Sequence, residues 1–142
     1  MPFAFRRESG SVRHYICFVS KHPLGFSIMK KVMAGVGRKD EDGVPLFDYV
    51  PGEARMQLPL GGSGRLAGLA ENLLATYAGR TITVGEISKG HGESSLFVEK
   101  NYKDALKNLE TNSDVTCSPD RENPKRRKNT LADWVKVTFP RA

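Results

Sequence analysis

An apolar stripe near the middle of this 142-residue chain narrows its possible folds more than any other feature. Leu66, Leu69, Ala70, Leu73, Leu74 and Tyr77 fall at i, i+3, i+4, i+7, i+8 and i+11, one face of an α-helix. Gly79 ends the pattern, where a helix stop takes a left-handed residue. Thr83 and Glu86 then have capping-box spacing, which predicts a short second helix from Val84 to about Lys89. Ser94 or Ser95 can cap a third helix with an inner stripe of Val98, Tyr102, Ala105, Leu106 and Leu109 and a left-handed stop at Asn112. Two strand-like pieces follow. Residues 115–117 are short. Residues 134–139 alternate, with Val135, Val137 and Phe139 on one side. Trp134 and Tyr102 are expected in the core.

Between those strands runs Pro119-Asp120-Arg121-Glu122-Asn123-Pro124-Lys125-Arg126-Arg127-Lys128-Asn129, a polar, basic connection. Helix, short helix, longer helix, strand, basic loop and strand is the order of a winged helix-turn-helix, with the third helix as recognition helix and the loop as wing. Lys100, Lys103 and Lys107 lie off the apolar stripe of that helix, with Asn101, Asp104 and Asn108 nearby. Lysines can neutralise phosphates, and amides can read base edges in a major groove. Arg121, Lys125, Arg126, Arg127 and Lys128 of the wing can reach the backbone or the minor groove. The plainer reading is a solvated face, in which Lys103 pairs with Glu99 and Lys107 with Asp104. Charge distribution favours a polyanion contact at an end of the chain. Residues 1–39 carry eight bases and one acid, 40–120 seven bases and thirteen acids, and 121–142 seven bases and two acids.

The N-terminal part has a different character. Tyr15-Ile16-Cys17-Phe18-Val19 is an unbroken apolar run and suits a strand buried on both faces of a parallel sheet. Nothing before it reads as a neighbour. Leu24, Ile28, Val32 and Val36 then form one helical stripe, with Pro23 in the first turn, His22 before it, and Lys30 and Lys31 off the stripe. Residues 38–64 are rich in turn chemistry and read as a linker, with at most a short strand at 46–50. Gly62-Ser63-Gly64-Arg65 reads as a flexible joint rather than a phosphate loop, because no strand precedes it and no Lys-Ser/Thr follows.

Several functions are disfavoured. Two cysteines, Cys17 and Cys117, make no disulfide scaffold and fit a reducing compartment. No stretch approaches a membrane span, and the N-terminus lacks the apolar region of a signal peptide, so a cytoplasmic protein without membrane contact is expected. His14, His22 and His91 show no ligand spacing with the cysteines, so no metal or cofactor is expected. No nucleophile, base and orienting group assemble, so the chain reads as non-enzymatic.

The stretch Tyr15-Ile16-Cys17-Phe18-Val19-Ser20-Lys21-His22-Pro23-Leu24-Gly25-Phe26-Ser27-Ile28-Met29-Lys30 resembles a segment of the three-Cys-motif partner protein family. So do Asn101-Tyr102-Lys103-Asp104-Ala105-Leu106-Lys107-Asn108-Leu109-Glu110, Thr130-Leu131-Ala132-Asp133 and Val137-Thr138-Phe139-Pro140. The likeness runs roughly from Arg13 to Pro140. It implies a methyltransferase-type Rossmann domain followed by a methyltransferase-associated winged helix, and partners among radical enzymes carrying three cysteines. Strand 15–19 then looks like the last strand of a Rossmann sheet. The glycine-rich loop that would bind a methyl donor has no counterpart in residues 1–12. The expected fold class is α+β, with a strand–helix Rossmann remnant at 1–37, a linker at 38–64 and a winged helix-turn-helix domain at 65–142. The expected partners are DNA through the third helix and wing, or alternatively a protein docked on strand 15–19 of an adaptor.

Overall fold

The computed structural model describes residues 1–51, 64–92, 95–119, 122, 126–127 and 130–141. The chain divides into two compact units, Met1–Ser63 and Gly64–Ala142.

In the first unit, β1 (Pro2–Arg6) and β2 (Val12–Cys17) form an antiparallel hairpin. Gly10, at φ +82°, permits its tight turn, and its N–H donates to the Arg7 carbonyl. Helix α1 (Pro23–Val36) follows. Nδ1 of His22 accepts from the Leu24 N–H at 3.2 Å, so His22 is the helix cap. Strand β3 (Asp48–Tyr49) pairs parallel with β1, giving the sheet order β2-β1-β3. Phe3, Ala4, Met33, Ala34, Val44, Phe47 and Val50 are buried. Gly37 ends α1 where a Cβ would meet the Asp48 carbonyl at 2.9 Å and Phe3 Cε2 at 3.0 Å. Asp48, itself buried, accepts from Arg6 Nε at 2.8 Å and from Arg38 Nε and Nη2 at 2.9 and 2.8 Å. Burial works against its charge, but the two guanidiniums hold its carboxyl below the usual range.

Three expectations for this unit are corrected. The apolar strand is not central in a parallel sheet. Among the described residues, 2–6 supply its one neighbour, the pairing is antiparallel, and every residue of β2 is exposed. The helical stripe Leu24, Ile28, Val32 and Val36 points outward, each side chain 50–61% exposed, while Lys30, Met33 and Ala34 face inward. Burial lowers the Lys30 amine to about 8. Residues 38–50, read as part of a linker, pack into the unit. Val44 and Phe47 fill its core, and Arg38 N–H donates to the Asp48 carbonyl. Periodicity identified α1 and the apolar strand but neither β1 nor the side each element buries, because burial depends on neighbours distant in the chain.

The second unit follows the expected element order, with one strand added between its first two helices. Helix α2 (Arg65–Tyr77) buries Leu69, Leu73 and Tyr77, and Gly79 adopts φ +70° just beyond it. Strand β4 (Thr81–Thr83) leads into α3 (Val84–Gly92). The capping box is present: Thr83 N–H donates to Glu86 Oε2 at 3.0 Å, and Glu86 N–H donates to Thr83 Oγ1 at 3.3 Å. Helix α4 (Glu99–Thr111) buries Tyr102, Ala105, Leu106 and Leu109. Strands β5 (Thr116–Ser118) and β6 (Lys136–Thr138) flank the wing, and β6 pairs antiparallel with both β4 and β5. Val135, Val137 and Phe139 reach the core, as alternation requires.

Local details differ. The cap of α4 is Val98, whose N–H donates to Asn101 Oδ1 at 3.0 Å. Ser95 instead bonds the Tyr102 hydroxyl at 2.7 Å, and Ser94 lies outside the described residues. The left-handed residue after α4 is Ser113, at φ +65°, rather than Asn112. Residues 61–63 of the glycine-rich joint also lie outside the described residues, while Gly64, at φ +70°, caps α2.

Candidate nucleic-acid interface

The buried stripe of α4 fixes which of its polar residues reach water. Lys100 and Asn108 are exposed. Lys107 is half-exposed, its Nζ 3.4 Å from Asp104 Oδ1. Asn101 is turned inward, 2% exposed, and its amide oxygen is committed to the cap of its own helix. It does not present its amide to a groove. Lys103 is drawn between two carboxylates, Glu99 Oε1 at 2.7 Å and Asp133 Oδ1 at 2.9 Å. Burial opposes its charge, but the two hydrogen-bonded acids hold its pKa above the ordinary lysine value. The plainer reading of these two lysines, pairing with Glu99 and Asp104, is what the structure contains, with Asp133 as a further partner.

The wing arginines divide sharply. Arg126 is 6% exposed. Its Nη1 and Nη2 donate to Glu110 Oε1 and Oε2 at 2.6 and 2.7 Å, a bidentate pair. Its Nε donates to the Thr130 carbonyl at 3.0 Å, and Nη1 reaches the Pro119 carbonyl at 3.3 Å. Arg126 therefore ties the wing to α4 and leaves the set of candidate contacts. The Glu110 hydrogen bonds hold it charged against the cost of burial. Beside this pair, burial pushes the Cys117 thiol up to about 11, so it is an inert core residue. Arg127 is exposed, and its backbone carbonyl accepts from the Thr130 hydroxyl at 2.7 Å. Arg121, Lys125 and Lys128 lie outside the described residues.

Two exposed residues at and just before β6 were missed as candidates. Trp134, expected in the core, is 55% exposed. Lys136 is exposed, and its register partners are Thr83 on β4 and Ser118 on β5. The alternation that buries Val135 and Val137 dictates this outward placement, so the strand pattern carries the signal. The field is not purely positive there. The Glu86 carboxylate, held by the Thr83 hydroxyl at 2.6 Å, is kept ionised first by that bond and then by the nearby Lys136 charge.

His91 bridges the three helices. Its Nδ1 lies 2.8 Å from the Tyr102 hydroxyl and its Nε2 2.9 Å from Asn72 Oδ1. Both ring nitrogens are engaged between the helices, and no cluster of three metal-ligating side chains occurs among the described residues. No described helix is long and apolar enough to cross a membrane.

Neither the curated proteins nor the solved structures compared with this chain give a match. Residues 61–121 match the family model of the GMT-like wHTH domain, and the helix and strand order of this part of the chain is that of a winged helix-turn-helix.

Proposed function

We propose that the second unit is a non-enzymatic module that binds duplex DNA with the outer face of α4 and the wing. One observation carries the reading: the GMT-like wHTH match lies on an element order in which α4 occupies the recognition position. Lys100, Lys107 and Asn108 supply the helix contacts and Arg127 the wing contact. Arg121, Lys125 and Lys128 belong to the same basic stretch. Lys103 and Arg126 act indirectly, by holding α4 against residue 133 and the wing against α4.

Titration of duplex DNA at two salt concentrations tests this. Neutralising three phosphates through Lys100, Lys107 and Arg127 gives a log–log salt slope of about −3, and each further wing contact steepens it by about 1. Lys100→Glu and Arg127→Glu are each expected to weaken binding at low salt. Absence of binding at low salt overturns the reading.

The second reading is a protein-interaction adaptor of the three-Cys-motif partner type. The exposed apolar side chains of β2 and of the outer α1 stripe favour it. In that case a partner is retained on the first unit, and Arg127→Glu leaves the retention unchanged.

A further inference from the structure

Strand β2 is an edge strand, and among the described residues nothing pairs with its outer side. Met1 and Phe18 exchange hydrogen bonds, the Phe18 N–H donating to the Met1 carbonyl at 3.0 Å and the Met1 amine to the Phe18 carbonyl at 2.8 Å. Antiparallel ladders alternate, so the register Phe3↔Ile16 and Phe5↔His14 turns the backbone of residues 14, 16 and 18 toward β1. Tyr15 and Cys17 therefore direct their N–H and C=O groups to the open edge. The regular ladder runs from 14 to 18 before a register shift near Arg6 interrupts it. Its midpoint is Ile16.

We propose that this edge pairs with the same edge of a second copy, antiparallel about a two-fold axis at Ile16. In that register Tyr15 lies opposite Cys17 of the other copy, and the two symmetric pairs form four backbone hydrogen bonds. Ile16 faces Ile16 at the axis, His14 faces Phe18, and Arg13 faces Val19. No like charges stand directly opposite, which an isologous edge requires. Tyr15, Ile16 and Val19, at 59, 50 and 86% exposed, leave apolar side chains bare along this edge. The only Lys, Arg, Asp or Glu on β2 is Arg13, at its far end, so little on the strand discourages pairing.

The test is the mass in solution of the whole 142-residue chain, by light scattering at about 100 μM. The expected value is twice the 15.7 kDa of one chain. Tyr15→Pro removes an N–H that points away from β1, so the hairpin keeps its own bonds while the outer edge loses a central donor. That variant is expected to be monomeric with an unchanged circular dichroism spectrum. A monomeric parent chain overturns the proposal, and so does a dimer that a folded Tyr15→Pro variant retains. Should that variant misfold, Tyr15→Cys decides. Mild oxidation is expected to link the introduced thiol of one copy to Cys17 of the other, across a pair whose Cα separation of about 5.5 Å suits a disulfide. Absence of that linkage overturns the register. The DNA titration reads the second unit, so it can fail or succeed independently of this result.

Discussion

Replacing Arg126 by Met takes the bidentate guanidinium away from the buried Glu110 carboxylate. The two side chains are 4% and 9% exposed, so water cannot restore what the guanidinium supplied. Removing one partner of such a buried pair costs about 3–5 kcal/mol. The carbonyls of Thr130 and Pro119 lose a donor as well. For a unit of this size, a loss of about 3 kcal/mol lowers Tm by about 12–24 °C. The double variant Arg126→Met with Glu110→Leu removes both charges and is expected to recover most of the loss, the carbonyls accounting for the rest. Thermal unfolding followed by circular dichroism measures all three changes. DNA affinity of the single variant, taken below its Tm, is expected to stay within about twofold of the parent. A destabilisation below about 1 kcal/mol combined with tenfold weaker DNA binding would refute the reasoning, because it would place the guanidinium in solvent as a phosphate contact.

Other measurements probe both units. Asp48 has a folded pKa below the ordinary value of 3.8, so its stabilisation is present above that pH and is lost as acid titrates the folded carboxylate. Asp48→Asn is expected to cost about 1.5–3 kcal/mol at neutral pH and to flatten the acid limb of unfolding; an unchanged acid limb would show that other groups set it. Lys30 gives the same sign in a different window: its folded pKa of about 8 lies below the ordinary 10.5, so the unfolded chain binds more protons between those values. Stability from this group is expected to rise with pH from about 8 to about 10.5, and Lys30→Met should abolish the rise, as urea titrations across that range would register. Trp134→Ala is expected to cost under about 0.5 kcal/mol, as at any exposed site, and a cost above about 2 kcal/mol would place the indole in the core.

Elements with strong local signals were legible before any fold was known. The spacing from Leu66 to Tyr77, the Thr83–Glu86 box and the alternation of Val135, Val137 and Phe139 are relations within one helix, one turn or one strand, and local backbone geometry suffices to read them. The pairs Lys103–Glu99 and Lys107–Asp104 belong to the same class, being neighbours on one helix surface. Arg126 was not legible, because its partner is sixteen residues away on another element and one arginine in a basic run looks like the next.

Sequence alone determined the four described helices, the buried stripes of α2, α4 and the last strand, and the positive charge of the last stretch. Tertiary structure decided what pairs with the N-terminal strands and which side of each element of the first unit is covered. The same apolar periodicity describes the inward stripe of α4 and the outward stripe of α1, and the same apolar run describes a central strand and the bare edge β2. Periodicity gives a side chain its angle about an axis, but burial depends on what the rest of the chain brings to that angle. Arg126 and Arg127 are adjacent in sequence, yet one lies against Glu110 and the other in water, because only one of the two directions meets a carboxylate.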